Sequence, residues 1–321
     1  MRWWVGLWDR REHPRSLAAV RIGLSTVLLW DLLRIWAYDL VVPLSGTHTA
    51  GGIGVPESLQ PSLWFLDLFG HSAGAAWGLW GGMALSCTLL LLGVVPRLAA
   101  LVLVLLYAQL AQVVPAADRG IDMLLRNSLL VLAFANSGAT WSLSARLRHG
   151  SFSAPADLRV PAWPRYLLAL QVVVLYFAAG VSKAASSWTP VGGLNALFIA
   201  MSDPHFQRWP DEWLRAVYPL TRVGTLVSWV WEWIAPVMLL AWWYRETADR
   251  KGRLRGWFNR RPVVELYLLV GAIFHIGTHF TLRLGIFPFA VMSVYPACVH
   301  PDALAGMLGK LQALLIRPRR T

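Results

Sequence analysis

Leu167-Leu168-Ala169-Leu170-Gln171-Val172-Val173-Val174-Leu175-Tyr176-Phe177-Ala178-Ala179-Gly180-Val181-Ser182-Lys183 reads as an apolar helix that stops on an amine, with Trp188 and Gly192-Gly193 just beyond. Such a run, uncharged until its last residue, is the signature of a membrane span rather than of a soluble strand or surface helix. Lys183 is one of three lysines among 29 basic residues, the other 26 being arginine. Two readings of it stand side by side. A lysine at a membrane edge snorkels its ammonium to the headgroups. Lysine is also the basic residue whose proton is readily lost on burial, so a neutral amine beside an apolar cavity can serve as base or nucleophile.

The rest of the chain settles the class. With 56% hydrophobic and 14% charged residues over 321 positions, the sequence predicts an all-α, polytopic transmembrane helical bundle. Nineteen tryptophans suit the aromatic belts of a bilayer. Apolar runs fall at about 17–38, 77–95, 98–114, 121–135, 167–182, 223–244, 263–282 and 284–298, which gives about eight spans in a single domain over 1–321. No cleavable signal peptide is expected, because residues 1–16 carry arginines and tryptophans without an apolar centre. The segment 184–222 is read as external, its apolar piece 194–201 being re-entrant or interfacial. Residues 310–321 form a basic tail. Cys87 and Cys298 sit in apolar runs, as buried small side chains do.

Charge gives the orientation. The N-terminus, the turn at 95–97, the loops 137–165 and 245–262 and the tail hold 20 Lys and Arg, and the opposite loops hold 6. By the positive-inside rule both termini are cytoplasmic and Lys183 lies on the outer side, facing periplasm or extracellular space. The net charge of +12 is thus accounted for by orientation and anionic lipid, and nucleic acid is not expected as a partner.

Ionisable residues inside spans are costly, so each asks for a role. On this layout Asp31, Arg34, Asp122, Lys183, His279 and Arg283 fall in the outer half and Glu232 and His275 near mid-depth, with Arg21 toward the inside. Their common depth suggests one polar cavity opening outward. Simpler readings exist for several. Asp31 with Arg34 (i,i+3) and Asp122 with Arg126 (i,i+4) can pair along one helix face. His275 and His279 are also i,i+4 and can hold a metal with Glu232 or Asp122. No glutamate follows the first histidine and no further His/Cys cluster exists, so a proton relay is the expectation and a metal is not. Glu232, ahead of Pro236, either orients a cation such as Lys183 or ties helices together.

Taken together these segments resemble the HTTM domain family, whose characterised members are the vitamin K-dependent gamma-carboxylases. The similarity lies in Asp9 with His13-Pro14-Arg15-Ser16-Leu17-Ala18-Ala19-Val20-Arg21-Ile22-Gly23-Leu24, in Asp122-Met123-Leu124-Leu125-Arg126-Asn127, in Tyr176 to Lys183, and in Phe274-His275 ahead of Gly285-Ile286-Phe287-Pro288-Phe289. It implies that Lys183 stands where the carboxylases carry their catalytic lysine, with His275 as a second catalytic group. It implies that Trp188, Glu232, His279, Asp122, Arg126 and Tyr176 line a pocket. The implied cofactor is a reduced, vitamin K-like quinone, with O2 and CO2 as co-substrates and no metal. The implied chemistry is proton removal from the quinol by a neutral amine, generation of a stronger base with oxygen, and carboxylation of a glutamate γ-carbon. The implied partners are membrane lipid, the quinone and a peptide or protein substrate on the outer face. The chain departs from the eukaryotic carboxylases at Ile121, where they have a functional histidine, and at Ser182, where they have a first lysine. It resembles bacterial-type members without the large luminal domain, some of which resemble proteins of peptide toxin maturation. A non-catalytic binder or transporter of a lipid or small anion is the remaining alternative.

Overall fold

The structure, a computed structural model, describes residues 6, 8–54, 56 and 63–316. It is mostly helical. The long helices are α1 (Arg15–Ala37), α2 (Ala73–Leu92), α3 (Pro96–Val113), α4 (Gly120–Phe134), α5 (Trp163–Ser182), α6 (Tyr218–Trp233), α7 (Val237–Glu246), α8 (Val263–Thr281) and α9 (Pro301–Ile316). Two short strands, β1 (Arg11–Glu12) and β2 (Val160–Pro161), pair antiparallel. The fold is therefore all-α, as the sequence predicts.

Of the eight runs expected to span, five to six form helices long and apolar enough to cross a membrane by length and composition. Helices α1, α2, α3, α5 and α8 are long and apolar enough to cross a membrane, and α6 with α7 adds a sixth if the pair is one span. The run 121–135 becomes the 15-residue α4. The run 284–298 breaks into Phe287–Met292 and a 3-10 turn at Tyr295–Cys298. Pro296 explains the break, since it has no amide to donate to the Met292 carbonyl and the α-helical ladder gives way to a 3-10 turn. Pro236 likewise breaks the ladder between α6 and α7, whose axes bend by 43°. Helix α9 occupies part of what read as a tail, and the arginine-rich end, 317–321, lies outside the described residues.

The chain packs as two compact units, Met1–Leu168 with Val299–Thr321, and Ala169–Cys298. In the first, α1 packs on α2, α2 on α3, α3 on α4 and α9 on α1, and Ser16 Oγ donates to the carbonyl of Val299 at 3.0 Å. Leu17, Leu24, Leu79, Met83, Leu103 and Leu125 are fully buried between them. At the N-terminal edge Arg165 and Glu12 form a buried ion pair at 2.6 Å beside the β1–β2 pairing.

Arg21 is the unusual member of this core, with no exposed surface at all. Its guanidinium meets no carboxylate among the described residues. Nη1 donates to the carbonyls of Leu90 and Leu91 at 2.6 Å each, Nη2 to Trp141 at 2.6 Å and Nε to Ser137 at 3.2 Å. Leu90 and Leu91 are in the last turn of α2, where carbonyls lack helical partners and the helix dipole is negative. The arginine thus closes the end of α2 and pins the loop after α4. Gly93, which caps α2 in the left-handed region at φ 69°, must be glycine, because a Cβ there would lie 2.3 Å from Ser142 Cβ and 3.1 Å from Arg21 Nη1.

In the second unit the segment 184–222 folds into short helices, including Ala196–Ser202 and Asp211–Ala216. The first lies on α6, with the Leu197 amide donating to Thr225 Oγ1 at 3.1 Å. This is the apolar piece expected to be re-entrant or interfacial. Helices α6 and α8 are tied reciprocally: Trp231 Nε1 donates to the Tyr267 carbonyl at 3.1 Å, and Tyr267 Oη to the Trp231 carbonyl at 3.0 Å.

Candidate functional site

Lys183 follows the last residue of α5, where the helix gives way to the 3-10 turn Ser186–Trp188. Its amine donates to Glu232 Oε2 on α6 and stands 4.8 Å over the ring of Trp188, a cation–π distance. The lysine side chain keeps 18% of its surface exposed and the glutamate 6%. The pair therefore borders a buried region while the amine keeps an opening. Glycine makes this approach possible. At Gly180 a Cβ would stand 2.9 Å from the Trp233 amide nitrogen and 3.1 Å from the Glu232 carbonyl carbon, so any side chain would push α5 off α6. Gly180→Val accordingly lowers the melting temperature and separates Lys183 from Glu232. Crosslinking between cysteines placed on α5 and α6 reads that separation, and an unchanged crosslinking yield would exclude the seam as the positioning element.

A second cluster joins α5 and α6 to α8 and the 3-10 turn at Tyr295–Cys298. Tyr176, seven residues before Lys183 on α5, is buried with its hydroxyl 2.7 Å from His275 Nε2 and 2.5 Å from Tyr295 Oη. Its ring lies 4.3 Å from Trp231, the neighbour of Glu232, and Trp231 stacks on Tyr267 at 5.1 Å. His275 Nδ1 is buried with no hydrogen-bond partner, so the histidine uses one nitrogen and leaves the other open. The cluster is a chain of exchangeable protons, Tyr295–Tyr176–His275, enclosed by aromatic rings. His279, one turn on, does not join it. Its ring meets Phe289 at 4.8 Å and Phe280 at 5.5 Å, and its carbonyl accepts from Arg208. No group of three potential metal ligands occurs among the described residues.

Asp122 and Arg126 belong to the first unit, and their expected mutual pairing is not what the chain does. Asp122 takes Arg119 instead, through Nε at 3.0 Å, Nη2 at 2.8 Å and the backbone amide at 2.8 Å, plus Tyr107 Oη at 2.5 Å. Arg126 reaches back to Asp118, at 2.6 and 2.8 Å. Asp31 likewise ignores Arg34 for Arg119 Nη2 at 2.6 Å, while Arg34 lies over the rings of Trp30 and Tyr38. The cause is the short link between α3 and α4. Its residues sit at helix ends, where a side chain can choose its partner and a carboxylate in the first turn is drawn to free backbone amides. Burial alone would make the Arg119 guanidinium easier to deprotonate, but its bonds to Asp122 and Asp31 outweigh that and hold it protonated above its ordinary range.

Sequence reasoning passed over Tyr295, Tyr107 and Arg119. A tyrosine in an apolar run is the one available signal, because a buried phenol needs a partner for its hydroxyl.

Long apolar helices and exposed tryptophans near their ends, such as Trp36 and Trp77, define a multi-pass membrane protein. Residues 9–208 match the HTTM domain, and the chain belongs to that family, which makes it a membrane protein related to the gamma-carboxylases. The matched region includes Tyr176, Lys183 and Trp188 and ends before Glu232 and His275. No curated protein and no solved structure matches the chain.

Proposed function

We propose that the protein is a membrane enzyme of carboxylase-like chemistry, with Lys183 as the base, acting on a reduced quinone at a site open to the outer face. The observation that carries this reading is the contact of the Lys183 amine with Glu232, under Trp188 and at the edge of a buried aromatic region. An amine bonded to a buried carboxylate has an acceptor for its own proton, so it can present a lone pair without releasing charge to solvent. Glu232 is that acceptor and also fixes the direction of the amine. The same contact speaks against a small-anion binder, because a carboxylate already occupies the place an anion would take.

The lining suits a planar, lipid-soluble ring. Trp188 offers a face, and Phe177 and Trp233 stand edge to face at 5.8 Å nearby on α5 and α6. Bound there, a reduced quinone would supply an acidic hydroxyl and reducing equivalents, with O2 and CO2 as the other reactants. Lys183 takes the hydroxyl proton and Glu232 shares it. Tyr176, two turns before Lys183 on the same face of α5, and His275 would be the reserve of protons beside this site. On a layout in which α4 also crosses, the charge count favours cytoplasmic termini and an outward-facing amine, so a peptide or protein substrate would arrive from outside the cell and the quinone from the bilayer.

The test is oxygen-dependent consumption of a reduced naphthoquinone by the protein in nanodiscs, with labelled bicarbonate and a glutamate-containing peptide present. Quinol loss with fixed label supports carboxylation. Quinol loss without label moves the protein to another chemistry on the same amine, such as peptide maturation. Absence of both, with no quinone bound, removes the proposal.

A further inference from the structure

The first unit contains a cavity of about 150 Å³ between α1 and α3 that the Lys183 chemistry does not use. Its walls are apolar, with Leu28 and Leu32 from α1, Met83 from α2, and Leu103 and Ala111 from α3. Asp31, Tyr107, Arg119 and Asp122 line it as well. We propose that this cavity binds a small cationic amphiphile, a protonated amine carried on one ring or a short apolar chain, with its head on Asp31.

Three observations lead there. The first is size, since a cavity of about 150 Å³ accommodates a single six-membered ring. The second is charge. The network comprises three carboxylates (Asp31, Asp118, Asp122) and two guanidinium groups (Arg119, Arg126), one more carboxylate than guanidinium. The third is where that charge is open. Both oxygens of Asp118 are taken by Arg126, and both oxygens of Asp122 by Arg119 and Tyr107. Asp31 Oδ2 holds Arg119 Nη2 at 2.6 Å, but Oδ1 has Arg119 Nη1 only at 3.5 Å, too long for a good bond. Arg34, one turn away, lies over Trp30 and Tyr38 instead. An under-bonded carboxylate oxygen with 13% of its side chain exposed, beside an apolar cavity, favours a cation that brings its own apolar body. An anionic head gains less here, because the carboxylates of the network outnumber its guanidinium groups.

The full-length protein in nanodiscs of zwitterionic lipid is photolabelled with 4-(trifluoromethyldiazirinyl)benzylamine, or with the matching benzyl alcohol or benzoate. The labelled peptides are then mapped by mass spectrometry. The amine labels α1 and α3, excess benzylamine suppresses the labelling, and Asp31→Asn lowers it about tenfold, as loss of a charge-assisted hydrogen bond does. Ala111→Phe, which fills the cavity and leaves the ion network intact, lowers it equally and decides the matter if Asp31→Asn does not fold. Equal labelling by all three probes, or undiminished labelling of Ala111→Phe, would show simple partitioning onto an apolar surface and overturn the site.

Discussion

Lys183→Arg lowers turnover of reduced quinone by about 10²- to 10⁴-fold, the contribution expected of a positioned proton acceptor. The substitution is chosen because it keeps almost everything else. Arginine retains the positive charge, can still donate to Glu232 and can still lie over Trp188. What it cannot do is give up its proton, because the guanidinium stays charged in proteins. If the amine served as a fixed cation, the variant would work as well as the parent. Full activity in Lys183→Arg, with an unchanged melting temperature, would therefore sink the base and leave a binding role. Quinone binding measured in parallel separates loss of chemistry from loss of the ligand.

Arg21→Met destabilises the first unit by about 3–5 kcal/mol, the scale of breaking a buried charged contact. Methionine fills much of the volume but takes the donor from the carbonyls of Leu91, Ser137 and Trp141 and leaves Leu90 only the Gly93 amide. Each orphaned acceptor costs about 1–3 kcal/mol, partly recovered as the loop relaxes or water enters. Arg21→Lys is milder, since an ammonium has three donors on one atom and cannot span acceptors gathered from two segments. Thermal melting in detergent should rank parent above lysine above methionine. A methionine variant that melts with the parent would mean that the buried arginine contributes no net stability.

Much of the architecture was readable because a lipid-facing helix must be long and apolar. The runs at 17–38, 77–95, 98–114, 167–182 and 263–282 become α1, α2, α3, α5 and α8 within a few residues. Where backbone chemistry interrupts the pattern, hydropathy alone misleads. Residues 284–298 are apolar enough, but Pro296 divides them. Lys183 stood out by its rarity among the basic residues, and its proximity to Glu232 was one of two readings that the position of Glu232 allowed. Partners further away were not readable. Tyr176 and Tyr295 are 119 positions apart, and neither carries a charge that would mark it. The ion pairs were misjudged for a different reason. Spacing along a helix shows which side chains share a face, but it does not show that a link residue such as Arg119 will reach both Asp31 and Asp122 first.

The acceptors of Arg21 also have a place in time. They lie 69 to 120 residues downstream of it in the chain. While the polypeptide is being made, the first helix must wait in or beside the insertion machinery with a charged group whose partners have not yet been translated. Its lasting hold in the bilayer begins once Trp141 has emerged. A ribosome stalled before that point should leave the first helix extractable, and one stalled well after it should not.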